Sequence, residues 1–381
     1  MTLFASLCIG LALLYAMTIV LFLIGLRQKH QPVNSTQPPV TVVVAARNEE
    51  KNLGTLLGDL CSQSWPRERL QIIVVDDGST DRTAEIIRAF AQKNTHIMPI
   101  TIDQAPPGFS PKKYALQCAV ERASGEIILA TDADCRVGRD WVRGMVGHFL
   151  PDVGFVIGFS QYGRRGERQN LIERLQAFDF IPLMGVAEGS CNLGFPLSAS
   201  GQNLAYRRDA FLAVDGYKRV ASRVSGDDVL LLQLIRKHTA YRAVFAANPE
   251  AFASSAPQAT LRQFINQRKR WASNGSFQLF LNLPFFGFLL MVHAYTSALF
   301  VGVPLSLLLN QQVAVFLAAL ASKAFFEGLI AWISARRFQR QDLLICFPLW
   351  FLLQIPYVAL VGLLGTFGNF SWKERKHSAT L

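Results

Sequence analysis

Two carboxylates one residue apart, Asp132 and Asp134, follow directly on the apolar run Ile127-Ile128-Leu129. Such a run reads as a buried strand, so both acids fall where the strand ends and the chain turns. In an open α/β sheet that end is where ligands bind. Hard divalent cations take oxygen ligands, and Mg²⁺ commonly uses one or two carboxylates plus the phosphates of a substrate. Two acids that merely close a strand are the simpler alternative. A second acidic pair, Asp76-Asp77, follows Ile73-Val74-Val75 and precedes Gly78, which permits a tight turn. Either acid can accept from a base N–H or a ribose hydroxyl. Turn and cap formation is the alternative for both, and more so for Asp81.

The elements that must hold these acids alternate. A first strand, Val40 to Ala46, leads to Asn48, which can cap a helix with Leu53, Leu56, Leu57 and Leu60 on one face. A strand from Leu70 to Val75 precedes a helix capped near Ser79 or Thr80 and carrying Ala84, Ile86, Ile87 and Phe90. Residues 102 to 111 are a Pro-rich loop, after which Lys112 and Lys113 open an amphipathic helix through Leu116, Val120 and Ala123. Strand, helix, strand, helix with short links predicts a doubly wound, mostly parallel sheet. A further helix is expected from Arg168 to Ile181, with Pro182 ending or kinking it. The apolar surface from there through Val186 suits core packing or a lipid-facing role.

Five motifs in order carry a family resemblance. They are Val42 through Ala46-Arg47-Asn48-Glu49-Glu50, Asp76-Asp77-Gly78-Ser79, Asp132-Ala133-Asp134, Gly226-Asp227-Asp228 and Gln267-Arg268-Lys269-Arg270-Trp271. This order resembles the family-2 glycosyltransferases, inverting enzymes that use a nucleotide-sugar donor, over about Pro39 to Trp271. The resemblance implies a GT-A-type fold. It assigns Ala46, Arg47, Asn48, Glu49, Asp76, Asp77, Asp132 and Asp227 to the UDP- or GDP-linked donor, and Asp134, with help from Asp132, to Mg²⁺ or Mn²⁺. It places the catalytic base at Asp228, which as a helix N-cap would also be ordinary. A Lys reaching the donor phosphates is expected here. The family's Gly-Lys-x-x-Ala-Leu register selects Lys112, while Pro111 in place of the Gly keeps Lys113 open. Ser198 to Arg208 resembles the family's Gly-x-Asn-x-x-Tyr/Phe-Arg-Arg segment, in which Gly201 would admit close backbone approach to the sugar. Gln267, Arg270 and Trp271 match Gln-x-x-Arg-Trp, and on a helix they share one face. Arg270 offers a fork of donors to a diphosphate and Trp271 a stacking wall for the acceptor. A basic amphipathic helix on a membrane is compatible with the same residues.

Composition places this machinery at a membrane. The chain of 381 residues is 51% apolar and only 17% charged, below the quarter usual for globular domains. Residues 2 to 26 carry no charge, Ala272 to Ser322 none, and Leu343 to Phe367 forms a last apolar stretch; about 20 such residues span a bilayer. Arg27 and Lys29 after the first segment predict an uncleaved anchor with the main domain cytoplasmic. Lys323 and Glu327, four apart, would be functional candidates at mid-membrane and ordinary at an interface. A simple last crossing would leave Lys373, Arg375 and Lys376 outside, against the positive-inside rule. The net charge of +11 suits an anionic donor and an anionic membrane face. The basic residues are scattered, which argues against a nucleic-acid partner. Six cysteines without a CxxC pair read as buried thiols.

The resulting expectation is an anchor at 1–27, a cytoplasmic GT-A domain at 38–272, about three apolar segments at 273–368 and a polar tail at 369–381. The expected activity is metal-dependent, inverting hexosyl transfer to a membrane lipid or glycan. A processive polysaccharide synthase is the alternative enzyme, and an inactive membrane-binding protein the alternative of another class.

Overall fold

The computed structural model describes residues 1–28, 34–367, 369–372 and 375–378. Pro32 of the linker and Lys373 of the tail lie outside the described residues. In chain order the elements begin with α1 (Thr2–Leu26), β1 (Val40–Ala46), α2 (Leu53–Cys61), β2 (Leu70–Asp76), α3 (Thr83–Lys93), β3 (Ile97–Thr101), α4 (Pro111–Glu121) and β4 (Ile127–Ala130). Next come β5 (Cys135–Val137), α5 (Trp141–Val146), β6 (Val153–Gly158), β7 (Ser160–Tyr162), α6 (Leu171–Asn192), β8 (Leu204–Arg207) and α7 (Arg208–Ala213). They are followed by α8 (Val229–His238), β9 (Arg242–Ala246), β10 (Ala253–Ser255), α9 (Leu261–Ala272) and α10 (Gln278–Leu281). The long helices α11 (Leu283–Leu309), α12 (Val313–Arg337) and α13 (Phe347–Phe367) precede an antiparallel strand pair, β11 (Asn369–Trp372) and β12 (Arg375–Ser378).

The chain divides into two compact units. One comprises residues 29–164 and 198–256 and is built on a seven-stranded sheet ordered β3-β2-β1-β4-β8-β6-β9. β1 pairs in parallel with β2 and β4, and β2 with β3, while β8 runs antiparallel to β4 and β6. Valines and isoleucines buried on both faces of β1 and β2 leave no room for water, as covered parallel strands require. Leu53, Leu56, Leu57 and Leu60 of α2 are wholly buried in the same core as Val42, Val44 and Ile72. A small second sheet is ordered β5-β10-β7.

The other unit comprises residues 1–28, 165–197 and 257–381. Four of its helical stretches, Thr2–Leu26, Leu283–Leu309, Val313–Arg337 and Gln341–Gly362, are long and apolar enough to cross a membrane. The division groups residues 165–197 and 257–272 with these helices, whereas the motifs alone suggest one continuous domain from 38 to 272. The reason is side-chain size. Gly185 and Gly189 of α6 present bare backbone to Ser334 of α12 and Phe22 of α1, where a Cβ would collide.

Three local expectations are corrected. α2 is capped at Asn52, not Asn48, and α3 starts after Arg82 rather than at Ser79 or Thr80. Asn48, Ser79 and Thr80 are engaged with one another across two loops instead. α6 does not end at Pro182 but continues to Asn192; contacts of its second half with α1 and α12 offset the lost backbone bond, as neighbouring helices do for proline elsewhere. The uncharged run 272–322 ends inside α12, so Lys323 and Glu327 fall near the middle of that helix.

Candidate active site

The loops after β1 and β2 hold each other. Asn48 adopts a left-handed φ of 53°, a conformation Asn tolerates better than most residues. Its Oδ1 accepts from the Thr80 N–H at 2.9 Å, and its own N–H donates to Ser79 Oγ at 3.0 Å. The Glu49 N–H donates to Thr83 Oγ1 at 2.8 Å and the Glu50 N–H to Asp81 Oδ2 at 3.1 Å. Asp81 also accepts from the Thr83 N–H, so it closes a turn. Asp76 accepts from the Ser79 N–H at 3.1 Å. Arg47 donates to the carbonyl of Asp77 at 2.7 Å, and the Ala46 carbonyl accepts from the Asp77 N–H at 2.9 Å. Asp76 and Asp77 are both buried at the carboxyl end of β2.

The carboxylates after β4 and before α8 converge on one ammonium. Lys112, in the first turn of α4, lies 2.7 Å from Asp132 and 2.6 Å from Asp227. Burial opposes its charge, but the two carboxylates outweigh that and hold its pKa well above the ordinary lysine value. Burial likewise opposes ionisation of Asp227, and Lys112 outweighs it, so Asp227 stays below the usual carboxylate range. Asp228 differs. Burial and the neighbouring Asp227 charge push it up to about 6, against the pull of the Val229 N–H, Lys112 and the Gly201 N–H. Those two N–H groups reach its oxygens at 2.6 and 2.8 Å. Asp228 is therefore an N-cap of α8, held with both oxygens oriented by backbone, and a carboxylate poised near neutral pH.

Gly201 floors this cluster. A Cβ there would stand 3.1 Å from Asp227 Oδ2, 3.4 Å from Lys112 Nζ and 3.7 Å from Asp228 Oδ2. Thr131 Oγ1 donates to the Gln202 carbonyl at 2.8 Å, tying this loop to the residue before Asp132.

Lys112 and Lys113 are separated by their surroundings. The Lys113 ammonium, buried, donates to the carbonyls of Val220, Arg223 and Ser225 at 3.1, 2.6 and 2.8 Å, anchoring the segment that leads into Asp227. Desolvation lowers its pKa to about 7.

Two further supports hold the surrounding loops. Tyr217 donates its hydroxyl to the Asp227 carbonyl at 3.1 Å. Asn203, within the Ser198–Arg208 segment, is wholly buried; it donates to the carbonyls of Phe159 and Ala251 and accepts from the Trp141 indole. It is a core fastener.

Asp134 accepts from Ser255 Oγ of β10 at 3.3 Å. Among the described residues no three acidic, histidine or cysteine side chains cluster as a complete metal cage. Asp134, Ser255 and Asp132 offer only oxygen donors, the chemistry that suits Mg²⁺ or Mn²⁺.

Gln267, Arg270 and Trp271 belong to the other unit. All three are half-buried on α9. Gln267 Oε1 is buried and accepts no hydrogen bond from the described residues. Trp271 meets the ring of Phe180 at 6.0 Å.

A mostly parallel sheet with one antiparallel insertion, carrying acids at the carboxyl ends of its strands, defines the GT-A class of fold. The model of glycosyl transferase family group 2 matches residues 127–363, and that of glycosyl transferase family 2 matches residues 41–212. The chain belongs to glycosyl transferase family group 2. It is similar to an N-acetylglucosaminyltransferase of Rhizobium meliloti, 27% identical over 255 residues, which are 65% of this chain and 58% of that protein. It is also similar to a beta-monoglucosyldiacylglycerol synthase of Synechocystis, 34% identical over 112 residues, 29% of this chain and 23% of that one. The chain thus spans little more than half the length of the curated relatives it matches, or less. The mannosyltransferase PcManGT of Pyrobaculum calidifontis, solved with GDP-Man and Mn²⁺, shares the fold with a TM-score of 0.57 and 21% identity, covering 93% of this chain and 98% of that one.

Proposed function

We propose that this protein moves a sugar from a UDP- or GDP-linked donor to a hydroxyl of a membrane lipid or related acceptor, with inversion at the anomeric carbon. One observation carries the reading: Asp228, oriented by two backbone N–H groups and with its pKa raised to about 6, lies beside a lysine already bridging two further carboxylates. A general base works best under that condition. The ionised Asp228 takes the acceptor proton as the acceptor oxygen attacks the anomeric carbon. The bond from that carbon to the diphosphate oxygen breaks, and its electron pair leaves with the nucleoside diphosphate. A single displacement inverts the centre. Lys112 faces the charge that grows on the departing diphosphate. Asp134 and Asp132 would hold the divalent ion, which when bound supplies Lewis-acid stabilisation of that same charge. Asp76 and Asp77 suit the nucleoside.

A lipid acceptor is supported by the four apolar helices and by the diacylglycerol synthase among the relatives. A processive polymer synthase is the second reading, favoured by the Gln267–Trp271 motif that such synthases share. The test uses membranes carrying the wild type or Asp228→Asn. Radiolabelled UDP-glucose, UDP-N-acetylglucosamine and GDP-mannose are supplied separately with Mn²⁺, and the products are partitioned. Asp228-dependent label in the organic phase is the expected result, and label in a large aqueous or insoluble product identifies a polymer synthase instead. No Asp228-dependent label from any donor, with native acceptor lipids present, rejects both.

A further inference from the structure

Two lysines open α4, and the second takes no part in the mechanism above. Between α7 and α8 the chain forms an arm, residues 216–228, whose regular structure is a 3₁₀ turn at Lys218–Val220. Its two ends bend at glycines with left-handed φ, 58° at Gly216 and 85° at Gly226. This arm delivers Asp227 and Asp228 to the site, and α4 with its cap holds it. The Ser110 N–H donates to the Ala221 carbonyl at 2.7 Å, and Gln117 Oε1 accepts from the Tyr217 N–H at 2.9 Å. Between these two fastenings the Lys113 ammonium binds the carbonyls of Val220, Arg223 and Ser225. An ammonium has three donors and no acceptor, so three carbonyls match it one for one. Such charge-assisted bonds are stronger than neutral ones. The Tyr217 hydroxyl then pins the far end of the arm through the Asp227 carbonyl.

We infer that Lys113 is a positioning residue: by binding three carbonyls of the 216–228 arm it docks that arm on α4 and sets Asp228 against the Gly201 N–H, so that Lys113 governs the proton-transfer step while Lys112 serves the donor. The inference rests on the glycosyltransferase reading and extends it to a residue that binds backbone beside the reaction centre. Asp228 is oriented where two separately held segments meet. Its own arm is fastened to α4, whereas Gly201 sits in a loop tied through the Gln202 carbonyl to Thr131. Loosening the arm therefore shifts the base relative to its floor. Lys112 keeps its partner Asp132, which follows β4 and is not part of the arm, so the cation that faces the diphosphate stays in place. A reacting group displaced by about 1 Å can cost about 10²-fold in rate, and such a loss falls on kcat rather than on donor binding.

The test compares full-length wild type, Lys113→Met, Tyr217→Phe, Asp228→Asn and the double variant Lys113→Met/Asp228→Asn, all purified in lipid nanodiscs containing native acceptor lipids. Calorimetry with UDP-glucose, UDP-N-acetylglucosamine and GDP-mannose gives the donor affinity and the number of binding sites, and product label gives turnover per site. Lys113→Met should lower kcat per site by about tenfold or more, with the donor dissociation constant within about twofold of wild type. Tyr217→Phe removes no charge and should give the same split, at about threefold in kcat. Adding Lys113→Met to Asp228→Asn should bring less than about a twofold further loss, because both act through one carboxylate. Wild-type kcat in Lys113→Met, a weakening of donor binding as large as its loss of turnover, or full additivity in the double variant overturns the inference. If Lys113→Met does not fold, Tyr217→Phe decides, and wild-type kcat there overturns it. A wild type that neither binds nor turns over any donor overturns the glycosyltransferase reading as well, and so is told apart from the failure of the positioning role alone.

Discussion

Two lysine–carboxylate networks, one in each unit, use the same chemistry under opposite conditions. In the sheet unit Lys112 bridges Asp132 and Asp227. In the apolar unit Lys323 meets Glu327 at 2.5 Å. Glu327 also accepts from the Tyr15 hydroxyl at 2.9 Å and the Gln354 amide at 2.7 Å. The Lys323 ammonium lies over the rings of Tyr15 and Tyr295, at 4.8 and 5.7 Å. This second network therefore joins α1, α11, α12 and α13. The decisive difference is access: the Asp132 side chain is 30% exposed, whereas Lys323 is 0% and Glu327 9% exposed. An enclosed network with each charge matched fastens helices whose apolar faces do not discriminate one register from another. An open one retains capacity for a ligand. Charged residues inside apolar helices are a functional candidate by default; here their enclosure reads as architecture.

The comparison breaks most severely at Asp228. Asp228→Asn keeps the shape of the cap but removes the base, and turnover should fall by about 10²- to 10⁴-fold, while calorimetric donor affinity changes little. Wild-type turnover in the Asn variant would end the assignment. Glu327→Ala in the closed network should leave Lys323 buried without its counter-charge and cost about 3–5 kcal/mol of stability. It should lower the thermal midpoint in nanodiscs but leave the donor affinity of the folded fraction unchanged. The reverse pattern would make the two networks alike.

Lys112→Met should raise the donor KM by about tenfold or more, since a charge-assisted contact is lost. It should also move the acid limb of the rate profile to higher pH, because Lys112 pulls the Asp228 pKa down. In the wild type that limb should fall tenfold per unit below pH about 6: Asp228 acts only when ionised, and protonation removes the base. A flat profile between pH 5 and 7, at saturating donor, would exclude Asp228 as the titrating group. The smallest effect is expected from Gly201→Ala. The added methyl meets Asp227 at 3.1 Å and Lys112 at 3.4 Å, and the neighbours must give by tenths of an ångström. A loss of about three- to tenfold in kcat with unchanged stability would place Gly201 at the floor of the open network.

Much of this protein was legible from residues read in order. The runs at Val40–Ala46, Leu70–Val75 and Ile127–Leu129 are strands because β-branched residues buried on both faces have no better place. The leucines of α2 announce its buried face. The acids Asp76, Asp77, Asp132 and Asp134 follow those apolar runs directly, which puts them at or just beyond the ends of β2 and β4, the edge of such sheets where ligands bind.

Tertiary structure decided what depends on partners distant in the chain. Asn48 reads as a helix cap until Ser79 and Thr80 arrive from another loop to bind it. The motif register favours Lys112 but leaves Lys113 open, and only distant partners separate them: Val220, Arg223 and Ser225 make Lys113 an anchor, while Asp132 and Asp227 make Lys112 a bridge. Pro182 looks like a stop because its own helix loses a hydrogen bond there, but the packing of Gly185 and Gly189 carries the helix onward. Lys323 and Glu327 were visible as a pair, while their closure by Tyr15 and Gln354 needed contacts spanning hundreds and tens of residues. Local chemistry sets what each residue can do; burial and distant neighbours, which no short window of sequence contains, select which of those options is used.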